Sequence, residues 1–133
     1  MDDNRYQTPA AFRHALENRF NRMAAEQSVD VQRLRRQVVF DRFLSRLFCD
    51  PGSIWVLKGG YAMELRIASA RATRDIDLGC SKFSDAPSPS AMNASLRRQL
   101  QIAVAGTQPD HFDFLIGAPI LDLEAAPYGG ARF

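Results

Sequence analysis

Lys58-Gly59-Gly60-Tyr61-Ala62-Met63-Glu64-Leu65-Arg66, followed by Thr73-Arg74-Asp75-Ile76-Asp77-Leu78, is the stretch whose reading decides the fold. The apolar run Ile54 to Leu57 leads into it, so the order predicted is strand, diglycine turn, short helix and second strand. Side chains on a strand alternate faces, which sets Asp75 and Asp77 on one side, their Cα atoms about 7 Å apart, and turns Ile76 and Leu78 toward a core. Two carboxylates on one face suit a hard divalent cation, which is commonly held by one or two carboxylates together with substrate phosphates. Gly59 and Gly60 permit close backbone approach and positive φ. The helix that follows offers unpaired N–H groups and a partial positive charge to a phosphate tail.

Taken singly, these signals are weak. An Asp-x-Asp pair occurs on many exposed strand edges, and a diglycine can be a tight turn that binds nothing. No Gly-x-x-x-x-Gly-Lys-Ser/Thr loop and no Gly-x-Gly-x-x-Gly fingerprint is present. Context gives the combination its meaning: glycines opening a helix after an apolar strand, with the acids about fifteen residues on. Carboxylates beside buried Ile76 and Leu78 would also be costly to place there without a cation.

These residues resemble the nucleotidyltransferase AbiEii/AbiGii toxin family, within the polymerase-β-like nucleotidyltransferase superfamily. The resemblance is carried by Trp55 to Arg66 and by Ala70 to Leu78, with weaker support from Leu34 to Leu47 and from Tyr128-Gly129-Gly130-Ala131-Arg132-Phe133. It implies an α/β (α+β-like) nucleotidyltransferase core, a small mixed sheet packed against helices with two helices at the amino terminus. The implied activity moves a nucleoside monophosphate from a nucleoside triphosphate to an acceptor hydroxyl on RNA, notably a tRNA end, as the toxin of a toxin–antitoxin or abortive-infection pair. Asp75 and Asp77 would be the catalytic, metal-holding acids for Mg²⁺ or Mn²⁺. Lys58, Gly59, Gly60, Thr73 and Arg74 would bind the nucleotide, and a cognate antitoxin would be the protein partner. The family also carries a downstream basic residue and a third acid. Asp113, Asp122 and Glu124 are the candidates within the chain, and the third acid is expected past Phe133, which makes this chain a carboxyl-truncated core fragment.

A length of 133 residues predicts one domain, with residues 1–50 helical and 53–133 forming the catalytic core; 46% hydrophobic residues suffice for an interior. No apolar run approaches the roughly 20 residues that cross a bilayer, and the polar amino terminus is not a signal peptide, so a cytoplasmic protein with no membrane partner is expected. Cys49 and Cys80 lack metal-binding spacing and read as reduced, partly buried thiols. The first 48 residues hold nine arginines against six acids, and Arg66, Arg71 and Arg74 crowd the proposed site. That rim could attract RNA phosphate or be an ordinary solvated face. A non-catalytic module binding RNA or a partner protein is therefore the competing reading.

Along the chain, Thr8-Pro9 predicts a capped helix to about Gln27, and Ser28 or Asp30 caps a second helix stopped by Asp50-Pro51-Gly52. Strand one is expected over 53–58, strand two over 75–80 and a third long helix from a Ser90 cap. His111 to Ile116 alternates like a strand, Ile120 to Glu124 suggests another, and Gly129-Gly130 a turn. Lys82 to Ser90 reads as a loop. His14 and His111, far apart and without zinc spacing, read as structural or surface residues, and Trp55 as core.

Overall fold

The computed structural model describes residues 5–67, 72–81, 88–106, 108–122 and 131–133. Helix α1 (Pro9–Gln27) starts where Thr8 Oγ1 accepts the Ala11 N–H at 3.1 Å and Pro9, which has no N–H to satisfy, enters the first turn. It ends at Ser28, whose φ of 53° is left-handed and whose N–H returns to the Ala24 carbonyl. Asp30 then caps α2 (Val31–Leu47) through the Gln32 N–H. Strand β1 (Trp55–Lys58) runs directly into α3 (Gly59–Arg66), and β2 (Asp77–Cys80), α4 (Pro89–Val104), β3 (Leu121–Asp122) and β4 (Ala131–Arg132) follow. This is the mixed α/β class expected; the described strands pair antiparallel, β1 with β2 and β3 with β4.

Sheet one shows why the alternation matters. Its register sets Trp55 opposite Cys80, Val56 opposite Gly79, Leu57 opposite Leu78 and Lys58 opposite Asp77. Trp55, Leu57, Leu78 and Cys80 turn inward onto a core of Leu44, Leu47, Trp55, Tyr61, Leu100 and Val104, and Ile76 packs against that core as well. Phe40 meets the Tyr61 ring edge-on at 4.9 Å. Val56, Lys58 and Asp77 lie exposed on the other face. One face of the ribbon is thus cemented to α2 and α4, and the other is open.

Three boundaries differ from expectation. Strand β1 begins at Trp55, not Ser53, and the Ser53 N–H closes the preceding turn on the Asp50 carbonyl at 3.0 Å. Strand β2 begins at Asp77, so Asp75 sits in a bend ahead of the ladder. Helix α4 is capped by Ser88, not Ser90: the Ser88 hydroxyl accepts the Ala91 N–H, and Pro89 fits the first turn. One departure is of kind: 111–116 pairs with no strand among the described residues. Its alternation is real, with Phe112, Phe114 and Ile116 turned inward and Asp113 and Leu115 outward. Its backbone, however, is satisfied by side chains: Arg46 donates to the Phe112 carbonyl, and Gln101 donates to the Phe114 carbonyl while accepting the Ile116 N–H at 2.8 Å. Arg97 donates to the Ile116 carbonyl. Two helices offering long polar side chains have taken the place of a neighbouring strand, meeting the demand that backbone groups be paired.

Arg46 anchors that segment. Its side chain is 1% exposed, it donates to both Asp110 carboxylate oxygens at 3.0 and 2.8 Å, and its guanidinium lies 5.0 Å from the Phe114 ring centre. Burial alone would raise the Asp110 pKa, but Arg46, the Phe112 N–H and Arg42 together hold it below the usual carboxylate range. Trp55 is buried as expected. His111 lies 3.0 Å from the Tyr6 carbonyl oxygen and against the Phe12 ring, and His14 is exposed, so both histidines are structural or surface residues. Both cysteines are free; Cys80 is half-buried as read, whereas Cys49 is exposed, just past the end of α2. Among the described residues no helix is long and apolar enough to cross a membrane.

Candidate functional site

The diglycine turn is shaped by what lies on it. Lys58 closes β1 in extended conformation, and Gly59 takes φ of 74°, a left-handed value that turns the chain abruptly into α3. A Cβ on Gly59 would stand 2.2 Å from Asp77 Oδ2, and one on Gly60 would stand 2.3 Å from the Thr73 methyl. The leading end of β2 therefore lies directly against the glycines. The Asp77 carboxylate rests on the first residue of α3, the end of a helix where backbone N–H groups are unpaired and the potential is positive. The ladder enforces this contact, since Asp77 is the cross-strand partner of Lys58.

Asp75 stands two residues ahead, exposed, and its Oδ2 accepts from Arg132 Nη2 at 3.0 Å. The side chains are 64% and 57% exposed, so this pair joins the β3–β4 hairpin to the mouth of sheet one through solvent-facing atoms. Lys58 and Arg74 are exposed, and among the described residues neither side chain has a hydrogen-bond or ion-pair partner. Arg71 and Glu124 lie outside the described residues, as do the Gly129-Gly130 turn and most of the Lys82 to Ser90 loop. Asp122 is in β3. Asp113 is exposed in the extended segment and, among the described residues, forms no three-acid group with Asp75 and Asp77.

Behind the turn sits a residue that motif reading passed over. Glu64, the only acid in α3, has a side chain 4% exposed. It accepts from Arg33 Nε at 3.1 Å and Gln37 Nε2 at 3.3 Å, both on α2, and from the N–H and hydroxyl of Thr73 at 3.1 and 3.3 Å. Burial by itself raises its pKa; the Thr73 N–H, Gln37 and Arg33 outweigh that and leave it lowered. Glu64 thereby ties the chain leading into Asp75 to two helices. The Thr73 hydroxyl is spent on Glu64 and its methyl on Gly60, so Thr73 acts as a spacer between knot and turn. A lone acid in the middle of a short helix was the available signal for Glu64. For Arg132 it was strand alternation beside an apolar Phe133.

The helical arginines divide the same way. Arg33 is held by Glu64, Arg35 by Glu17 at 2.6 Å, Arg42 by Asp41, and Arg46 by Asp110. Four of the nine amino-terminal arginines are thus paired with acids, and two of these pairs, Arg33–Glu64 and Arg35–Glu17, link helices.

Asp77 against the glycine turn and Asp75 two residues ahead of it are both exposed carboxylates, a hard-oxygen donor set. Among the described residues no group of three or more His, Cys, Asp or Glu side chains could hold a metal unaided. That composition fits a cation shared with phosphates and does not fit a closed all-protein cage. A guanidinium already rests on Asp75, so the position accepts positive charge. Residues 42–133 match the family model described as "Nucleotidyl transferase AbiEii toxin, Type IV TA system". Searches of curated proteins and of solved structures gave no match. The matched span runs from within α2 through both strand pairs and takes in every residue of the turn and of β2.

Proposed function

The chain belongs to the AbiEii nucleotidyl transferase toxin family of type IV toxin–antitoxin systems, and we propose that the glycine turn and the two acids beside it are where it handles nucleotide. The reaction is transfer of a nucleoside monophosphate from a nucleoside triphosphate to an acceptor hydroxyl on RNA, a tRNA end in particular, with pyrophosphate leaving. Family membership implies nucleotide substrates and a cognate antitoxin.

The observation that carries this reading is the contact of the Asp77 carboxylate with Gly59 at the start of α3. It sets an anionic cation ligand beside backbone donors suited to an anionic tail. Asp75 and Asp77 would hold Mg²⁺ or Mn²⁺, which when bound offsets phosphate charge and lowers the pKa of the attacking hydroxyl. Gly59 and Gly60 leave the turn open to close approach by the triphosphate. Lys58 and Arg74 supply exposed cations at its rim. Thr73 and Glu64 keep the acid-bearing segment against the turn.

Labelled triphosphates incubated with total RNA test this. Wild type is expected to label RNA, and Asp75→Ala and Asp77→Ala to lose that labelling. Equal labelling by all three removes the acids from the reaction. The competing reading, a module that binds RNA without chemistry, calls for salt-sensitive RNA binding indifferent to Mg²⁺ and to Asp77→Ala. The engagement of Arg33, Arg35, Arg42 and Arg46 with acids leaves that reading with less to work with.

A further inference from the structure

We infer that Arg132 guards the cation position: its guanidinium neutralises Asp75 while no divalent cation is bound and passes to the triphosphate when cation and nucleotide enter. This rests on the reading of Asp75 and Asp77 as cation ligands. The backbone of Arg132 is hydrogen-bonded in a ladder. It pairs with Leu121 across the second hairpin, and its carbonyl accepts the Ile120 N–H at 2.6 Å. Phe133 packs against the core, so alternation sends the Arg132 side chain the opposite way, toward the open face where Asp75 stands. A strand held in a ladder therefore delivers a long cationic side chain to one of the two acids.

The pair is built to be broken. Both side chains are more than half exposed, and such pairs contribute little to stability. A divalent cation carries twice the charge of the guanidinium it would displace. Only Nη2 is engaged; among the described residues Nε and Nη1 have no hydrogen-bond partner. A released guanidinium offers the planar fork that matches phosphate oxygens, and those would lie beside Asp75 once a cation bridges them. Arg46, equally basic and also on an aspartate, cannot do this, because its side chain is 1% exposed and every carboxylate contact is buried.

The test is a paramagnetic titration of the chain with Mn²⁺ alone and then with Mn²⁺ plus inorganic tripolyphosphate, which carries the phosphate chemistry without a base. Arg132→Ala is expected to bind Mn²⁺ alone about threefold more tightly, the size of an exposed ion pair, and tripolyphosphate about tenfold more weakly, the size of a lost charge-assisted contact. Arg132→Lys should leave Mn²⁺ binding near wild type and fall between the two for tripolyphosphate. Arg132→Ala shifting both affinities the same way, or neither, overturns the inference while leaving the site reading standing. Wild type binding Mn²⁺ no better than an Asp75→Ala, Asp77→Ala double variant overturns both.

Discussion

Arg46 with Asp110, and Arg132 with Asp75, are the same two residue types meeting at nearly the same distance, 2.8 and 3.0 Å. The first pair lies between α2 and the extended segment with 1% and 13% of its side chains exposed; the second faces solvent with 57% and 64%. A charge taken out of water must keep its partner, because removing either one strands the other. A charge left in water keeps its partner loosely and can exchange it for a ligand. Glu64 belongs with the first kind although it sits a few residues from the site. Its four donors hold the acid-bearing segment in place. Burial, more than residue type or closeness to the motif, separates the charges that hold the fold from those available for chemistry.

The widest break in this comparison comes from Arg46→Ala, expected to cost about 3–5 kcal/mol by urea denaturation, since Asp110 is left charged and the Phe112 carbonyl unpaired. Survival of the variant with a loss under about 1 kcal/mol would erase the distinction drawn here.

Glu64→Ala should cost about 1.5–3 kcal/mol, the range for hydrogen bonds to a charged group. It should also cut nucleotide transfer, although Glu64 touches no substrate in the proposed reaction. Acid sharpens the same point. The Glu64 and Asp110 carboxyls both titrate below their ordinary values when folded, so the unfolded chain binds protons more readily. Their stabilisation is present in full above the unfolded values near about pH 4 and is lost as pH falls through the folded ones. Urea midpoints are expected to drop between pH 5 and pH 3, and Glu64→Gln to drop less over that interval than wild type; parallel curves would contradict the assignment.

Gly59→Ala places a methyl at left-handed φ and against Asp77, costing about 1–2 kcal/mol and forcing the carboxylate off the turn. Thermal melts read the first effect and Mn²⁺ binding the second. Smallest in stability are Asp75→Ala and Asp77→Ala, exposed substitutions expected to fall within about 0.5 kcal/mol of wild type while transfer is abolished.

Much of this was legible in the chain itself. Thr8-Pro9, Asp30, the apolar spacing of Leu34, Leu44 and Leu47, and the run Trp55 to Leu57 each express a local rule, so helices one and two and the turn fall close to where they were expected. Residues 111–116 alternate without being a strand, because alternation reports which side faces a core and says nothing of what pairs with the backbone. There Gln101, Arg46 and Arg97 do the pairing. The cap of α4 is Ser88 and not the expected Ser90, and the local mark of it is Pro89, which fits the first helical turn.

By itself the sequence determined the order of elements, the face that Ile76 and Leu78 bury, and the choice of glycine at a turn that admits nothing larger, because those follow from neighbours a few residues apart. Tertiary structure alone decided that Asp77 lies on Gly59, that Glu64 reaches Thr73, Arg33 and Gln37, and that Arg132 crosses from another hairpin to Asp75. Those contacts span up to 57 residues of chain, and only the folding of distant segments onto one core brings such charges within reach of each other.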